Sequence, residues 1–320
     1  MKILAVQNRM GIGDTIIFLP FIKALSEKFN SPISILVKES SKAHQYLYQT
    51  KYIDKILILD RDKKNKNRHG GFFGIFNLVK DIKKHNFDKI IIFSSSLRFS
   101  LIAKFSKIPE VYQYPLLKKK KQHIIDTPRK FLKDKLNLNV NKDPEVQISN
   151  TLVSKSVKEF QINKDETNIL LGIGGSGPTK RIPAHTFLNV MKKLTKIKKC
   201  KFFLATGKDN NEQIILNEIL NSNFKNLCIP LDDLSIKEIL PIIKNCNISI
   251  CNDSSFGHLS AALGIKTITL MADTPLVYGS YSSKMFPIIP DGEKIVSHNT
   301  RGKEKINPQK IFDTIIKIID

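Results

Sequence analysis

Four short stretches of this chain gather glycine, hydroxyl, carboxylate and cationic side chains between an apolar run and a helical pattern. The first is Met10-Gly11-Ile12-Gly13-Asp14. Gly11 and Gly13 let the backbone turn without a Cβ clash, and Asp14 stands where the next helix starts. A carboxylate there either caps the helix or, facing a cleft, takes a proton from a substrate hydroxyl. The second stretch, GIGGSGPTKR from Gly172 to Arg181, formally contains GxGxxG after an apolar run. Pro178 follows its third glycine and no acid stands near position 197 to hold a ribose, so the dinucleotide fingerprint is incomplete. Lys180 lies three residues past Gly177 rather than beside it, which excludes a Walker A loop. What remains is a loop of backbone N–H groups, the hydroxyls of Ser176 and Thr179, and two cations ahead of a helix. Such a set suits a diphosphate, or else a solvated Gly-rich loop.

The third stretch, Thr206-Gly207-Lys208-Asp209-Asn210-Asn211-Glu212, offers two acids. One of them can accept from a nucleotide ribose, or both can simply favour a helix's first turn. In the fourth, Cys251-Asn252-Asp253-Ser254-Ser255-Phe256-Gly257-His258, an acid, two serines and an early helical histidine crowd one turn. Its amides and hydroxyls are phosphate donors. A Ser-His-Asp hydrolase is disfavoured, because no GxSxG elbow is present and the three side chains share a single turn.

The elements that must position these turns alternate from the first residue. Strands are expected at residues 2–7, 33–37, 55–59 and 88–93, with helices at 14–29, 41–50 and 73–84. Near-continuous Ile, Leu and Val in the strands is what a parallel sheet covered on both faces requires. The pattern fades from 116 to 167, then restarts. Strands are expected at 168–173, 201–205, 226–229, 248–251 and 267–271, and helices at 183–193, 209–220, 235–244, 257–263 and 308–319. Ser235 and Glu238 form a capping box, and Asn307 with Pro308 opens the last helix. This reads as two α/β domains with a seam within 140–165, placed at 1–150 and 151–320.

With 52 Lys and Arg against 29 Asp and Glu, the 320 residues carry a net charge of +23. Residues 1–160 hold 31 basic and 14 acidic side chains, and residues 161–320 hold 21 and 15. Basic density peaks at 61–68 and 118–121. A positive half implies an anionic partner; a nucleic-acid binder is one class, but no signature reader motif is present. No apolar run reaches the roughly 18 residues of a membrane span, and the start is no signal peptide, so a cytoplasmic protein is expected. Four scattered cysteines without CxxC spacing fit reduced thiols better than a disulfide frame or a zinc site.

GDTIIFLPFIKAL after the first strand, GGSGPTKRIP in mid-chain and NDSSFGHLSAALG near the end together resemble glycosyltransferase family 9, the heptosyltransferases. HNFDKIIIFSSSLRFSLIAKFSKIP and the closing INPQKIFDTIIKIID extend the resemblance over most of the chain. The resemblance implies a GT-B fold: two Rossmann-like domains with mainly parallel sheets facing across a cleft, acceptor on the first and donor on the second. In such a fold the last helix is able to pack back on the first domain. It implies inverting transfer without a metal or other cofactor, from a nucleoside-diphosphate sugar, with ADP-heptose among the candidates. Asp14 would be the base. Ser176, Thr179, Lys180, Glu212, Asp253, Ser254, Ser255, Gly257 and His258 would hold the donor, and Gly11 and Gly13 would shape the acceptor turn. Three departures stand out: Ile182 where the family's KRWP-like motif has Trp, Asp253-Ser254-Ser255 in place of DSG or DTG, and a shortened Met271-Ala272-Asp273-Thr274-Pro275.

With the acceptor assigned to the more basic half, the charge fits an anionic glycolipid and a place on the inner face of the cytoplasmic membrane rather than nucleic acid. The basic, Phe-containing stretch 61–76 and the lysines at 118–121 are expected on phosphorylated headgroups. A non-catalytic sugar-nucleotide-binding protein on the same fold is the other reading.

Overall fold

The computed structural model describes residues 1–9, 11–61, 67–116 and 123–319. It divides into two compact units, Met1–Gln147 and Ile148–Asp320.

The first unit runs β1 (Ile3–Val6), α1 (Ile12–Phe29), β2 (Ile33–Lys38), α2 (Ala43–Tyr46), β3 (Ile53–Leu59), α3 (Phe73–Lys83), β4 (Lys89–Ile92), α4 (Leu97–Phe105), β5 (Glu110–Gln113) and α5 (Asp126–Leu136). Its five strands form one parallel sheet in the order β3-β2-β1-β4-β5. β1, at the centre, is buried along its whole length, as Ile-Leu-Ala-Val covered on both faces must be. One core of this unit joins Leu4, Val6, Ile90 and Ile92 of the sheet to Ile75, Leu78 and Ile82 of α3 and Phe99 and Ile102 of α4.

In the second unit α6 (Asn150–Glu159) leads into β6 (Thr167–Gly172), α7 (Ala184–Leu194), β7 (Cys200–Ala205), α8 (Asn210–Leu220), β8 (Cys228–Pro230) and α9 (Ile236–Lys244). Then follow β9 (Ile248–Asn252), α10 (Ser255–Ala262), β10 (Thr267–Leu270), β11 (Met285–Ile288) and α11 (Pro308–Ile318). The sheet order is β11-β10-β9-β6-β7-β8, again parallel throughout. The capping box of α9 is present, Ser235 and Glu238 each bonding the other's backbone N–H. Asn307 caps α11 through Gln309 N–H at 2.8 Å. α11, the helix considered able to return to the N-terminal half, packs on α7, β10 and β11 of its own unit, burying Ile311 and Ile315.

Several expectations are corrected. The helix expected at 41–50 shrinks to a 3₁₀ turn (Glu39–Ser41) and the four-residue α2, because Lys42 between them is left-handed (φ 48°). The region expected to be irregular holds α5 and α6. Pro128 is tolerated because it falls in the first turn of α5, where the backbone N–H has no helical partner to lose. β11 was not foreseen: its Pro287 suits only a sheet edge, and β11 is the edge. All four cysteines are free thiols, three of them buried. Among the described residues no helix is long and apolar enough to cross a membrane.

Candidate active site

In each sheet the first strand in sequence lies inside, with later strands added on either side, so chain direction reverses between β1 and β4 and between β6 and β9. Adjacent strand-to-helix loops diverge at such switch points and leave a crevice at the strands' carboxyl ends. The four chemistry-bearing turns all leave carboxyl ends: residues 11–14 after β1, 173–181 after β6, 206–212 after β7 and 253–258 after β9.

At the second switch point two of these turns are joined. Lys180 Nζ, from the Gly-rich loop, donates to Asp253 Oδ2 at 2.6 Å. Burial pushes the Asp253 carboxyl up, but Lys180, and behind it His258, outweigh burial and hold it below its ordinary range. His258 Nε2 lies 3.9 Å from Asp253 Oδ1. Its Nδ1 is 2.7 Å from the Tyr281 hydroxyl, and the two rings stack at 5.6 Å. Burial lowers the His258 pKa, with the Asp253 carboxylate pulling the other way. Lys180, Asp253, His258 and Tyr281 thus form one polar chain beside the start of α10.

That start is open. α10 begins at Ser255, two residues earlier than the periodicity suggests, which places Ser255, Gly257 and His258 in its first turns. Ser254 occupies the N-cap position without giving a side-chain cap bond. Its hydroxyl is buried and unpartnered, as is Asn252 Oδ1, while Asn252 Nδ2 ties the turn to Ile173 O at 2.8 Å. An uncapped helix N-terminus beside a lysine is an anion site in the making. Gly257 fits close against β9, since a Cβ there would come 3.3 Å from Cys251 Cβ.

Glu212 is placed differently from the ribose-facing acid expected. Its carboxylate, on a side chain at the start of α8, points into protein: Gly175 N–H donates to Oε1 at 2.6 Å and Gly207 N–H to Oε2 at 2.8 Å. Arg181 Nε lies 3.8 Å from Oε1, donates to Gly175 O at 2.9 Å, and its other end meets Asp209 at 3.1 Å. Glu212 and Arg181 therefore brace the Gly-rich loop against the loop after β7. Asp209 is the helix cap, accepting from Asn211 N–H at 3.1 Å. Thr179 bonds Asp273, which also accepts from Arg301 N–H at 2.7 Å. Ser176 stands exposed at the loop tip. Ile182, in the place of the family's Trp, is fully buried in the second unit's core. Arg181, Asn252, Asp273 and Tyr281 were not singled out from sequence as site residues; the first three lay in quoted stretches, and Tyr281 lay in none.

At the first switch point, α1 begins at Ile12, and Gly11 is its N-cap at φ 100°, where any side chain would be strained. Asp14 is therefore not the cap but the third helical residue. A Cβ built on Gly11 would lie 3.7 Å from Asp14 Oδ2, so the carboxylate turns back over Gly11. Gly13 is ordinary helix, and among the described residues the turn rests on Gly11; Met10 lies outside them. Among those residues no three His, Cys, Asp or Glu side chains gather as a metal site.

The family model for glycosyltransferase family 9 (heptosyltransferase) matches residues 75–315. Lipopolysaccharide heptosyltransferase 1 of Campylobacter coli is 24% identical over 342 residues, covering 95% of this chain and 93% of that protein. Among solved structures, the family 9 glycosyltransferase of Veillonella parvula superposes with a TM-score of 0.80 at 20% identity, covering 99% and 97% of the two chains. ADP-heptose LPS heptosyltransferase II of E. coli gives 0.73 at 17% identity, covering 100% and 98%. The fold is thus GT-B, two parallel α/β halves. Together with the match across three quarters of its length, this places the chain in glycosyltransferase family 9, the heptosyltransferases.

Proposed function

We propose that this glycosyltransferase moves a heptose from ADP-heptose onto the core of a lipopolysaccharide-type acceptor, with inversion and without a metal ion. The carrying observation is the uncapped start of α10, with its unpartnered Ser254 hydroxyl beside the Lys180–Asp253 pair. First-turn amides, Ser254, Ser255 and Lys180 receive the diphosphate, with Ser176 and Thr179 at the rim. Asp253 and His258 hold Lys180 and the turn in position. Glu212 contributes by fixing the two loops.

Asp14 removes the proton of an acceptor hydroxyl. The oxygen attacks the anomeric carbon on the face opposite the diphosphate, the bond from that carbon to the diphosphate oxygen breaks, and the sugar inverts. Charge growing on the leaving nucleotide falls on the α10 amides and Lys180, the electrostatic work a metal does elsewhere. The names of the similar heptosyltransferases support donor and acceptor, and the basic N-terminal half supports an anionic, membrane-embedded acceptor reached from the cytoplasmic side.

A thermal-shift panel of ADP, UDP and GDP tests the donor assignment. ADP alone should stabilise the protein at sub-millimolar concentration; a shift with UDP or GDP and none with ADP would overturn it.

A further inference from the structure

Most large apolar side chains of the first unit are buried, and among the exposed ones five form one group. Phe73 is 79% and Phe72 71% exposed, and Phe76, Leu97 and Phe105 are also exposed. Four of these touch in a row: Phe73 meets Phe72 edge-on at 6.1 Å, Phe72 meets Phe76 at 5.8 Å, and Phe76 stacks on Phe105 of α4 at 6.4 Å. A contiguous aromatic string on the surface marks a surface that is covered in use.

The string is held, not loose. Arg68 grips Asp81 of α3 through two bonds of 2.8 and 2.7 Å. His69 accepts from Asp60 N–H at 3.0 Å and meets the same Asp81 at 3.1 Å. Arg98 donates to the carbonyls of His69 and Gly71 at 2.6 and 2.7 Å. At Gly74 a Cβ would fall 2.3 Å from the His69 carbonyl carbon, so only glycine lets this turn close against α3. The rings are presented by a braced turn.

Charge identifies the occupant. Residues 67–107 carry eight Lys or Arg and two Asp, and Lys80, Lys83, Lys104 and Lys107 are exposed on or just beyond the same two helices as the rings. Two such faces would repel each other, which argues against a second copy. Aromatic rings fringed by lysine are what the boundary of an anionic bilayer accepts: rings at headgroup depth, ammonium groups on phosphates. We propose that Phe72, Phe73, Phe76 and Phe105 form an insertion platform that seats the first unit on an anionic membrane. The inference deepens the reading above, which places the acceptor in such a membrane. The lysines at 118–121 and residues 62–66 of the expected headgroup-binding stretches lie outside the described residues; the platform needs neither.

The test is co-sedimentation of the full chain with vesicles of phosphatidylglycerol and phosphatidylethanolamine, or of phosphatidylcholine alone. Wild type should bind the anionic vesicles, weakly the neutral ones, and lose binding in high salt. A Phe72→Ser/Phe73→Ser/Phe76→Ser variant should bind the anionic vesicles at least about tenfold more weakly, since three rings no longer leave water. Its melting temperature and ADP-induced shift should match wild type, because the rings are exposed and lie in the other unit from the donor turns. Lys80→Ser/Lys104→Ser should weaken binding and its salt dependence. Vesicle binding by the ring variant equal to wild type would overturn the proposal, as would a wild-type dimer that this variant turns into a monomer. Absence of heptose transfer with ring-dependent vesicle binding intact would overturn the functional reading and leave the platform standing.

Discussion

Glu212→Gln tests whether the donor loops are built as described. Glu212 is only 8% exposed, and each carboxylate oxygen accepts one backbone N–H, from Gly175 at 2.6 Å and Gly207 at 2.8 Å. A glutamine keeps the shape but has one acceptor oxygen, so its NH₂ must face one of those amides donor to donor. One charge-assisted bond becomes neutral, the other is lost, and a buried N–H is stranded. With hydrogen bonds to charged groups worth about 1.5–3 kcal/mol and a stranded amide costing about 1–3 kcal/mol, the net loss is about 2–4 kcal/mol. For a unit of this size, about 2–4 °C is lost per kcal/mol. The variant should therefore melt roughly 4–16 °C below wild type, followed by circular dichroism with ADP affinity measured by calorimetry in parallel. Melting within about 2 °C of wild type would refute the bracing role, and a large loss of ADP affinity at unchanged melting temperature would put the carboxylate on the ligand instead.

Other outcomes follow from the same turns. Lys180→Ala should destabilise the fold by up to about 3 kcal/mol, because it strands Asp253, whose side chain is 7% exposed. Adding Asp253→Ala should recover much of that loss in melts, and additive losses would contradict the pairing. Since burial lowers the His258 pKa below its ordinary 6.5, the unfolded chain takes up a proton that the fold refuses. Stability should therefore decline as pH falls below about 6.5. His258→Gln should flatten that decline but not the further one below about pH 4, where Asp253, with its depressed pKa, is protonated; an unchanged profile would exclude the lowered pKa of the buried histidine. Burial raises the thiols of Cys200 and Cys228 to about 11 and that of Cys251 to about 12. Alkylation by iodoacetamide at neutral pH should therefore be slow until the chain is unfolded, and rapid labelling of native protein would count against these packed positions.

What could be read from sequence follows physical contrast. β1, β2, β4 and β6 are rich in Ile, Leu and Val that only a doubly covered sheet can bury, and Ser235–Glu238 and Asn307 announce their helices. Two of the four edge strands carry no such signal: β5 is Glu-Val-Tyr-Gln and β11 contains Pro287, since an edge tolerates polarity and a missing N–H. The turns after β1, β6 and β9 stood out because they concentrate polar residues against apolar neighbours. Their internal wiring did not. Gly11 rather than Asp14 starts α1 because its left-handed backbone turns the chain there. Tyr281 reaches His258 from a distant loop, a contact with no period or spacing to betray it. Whether Glu212 faces ligand or backbone depends on two amides, one of them 37 residues away in sequence.

The central claim, base-assisted transfer by Asp14 from ADP-heptose, is tested most directly by single-turnover transfer to a heptose-deficient lipopolysaccharide acceptor in the presence of EDTA. The product's anomeric configuration is read by NMR, and wild type is compared with Asp14→Asn. Wild type should yield inverted product, and the variant should be slower by about a thousandfold with ADP affinity unchanged. Wild-type rates in Asp14→Asn, or retained configuration in the product, would contradict the account.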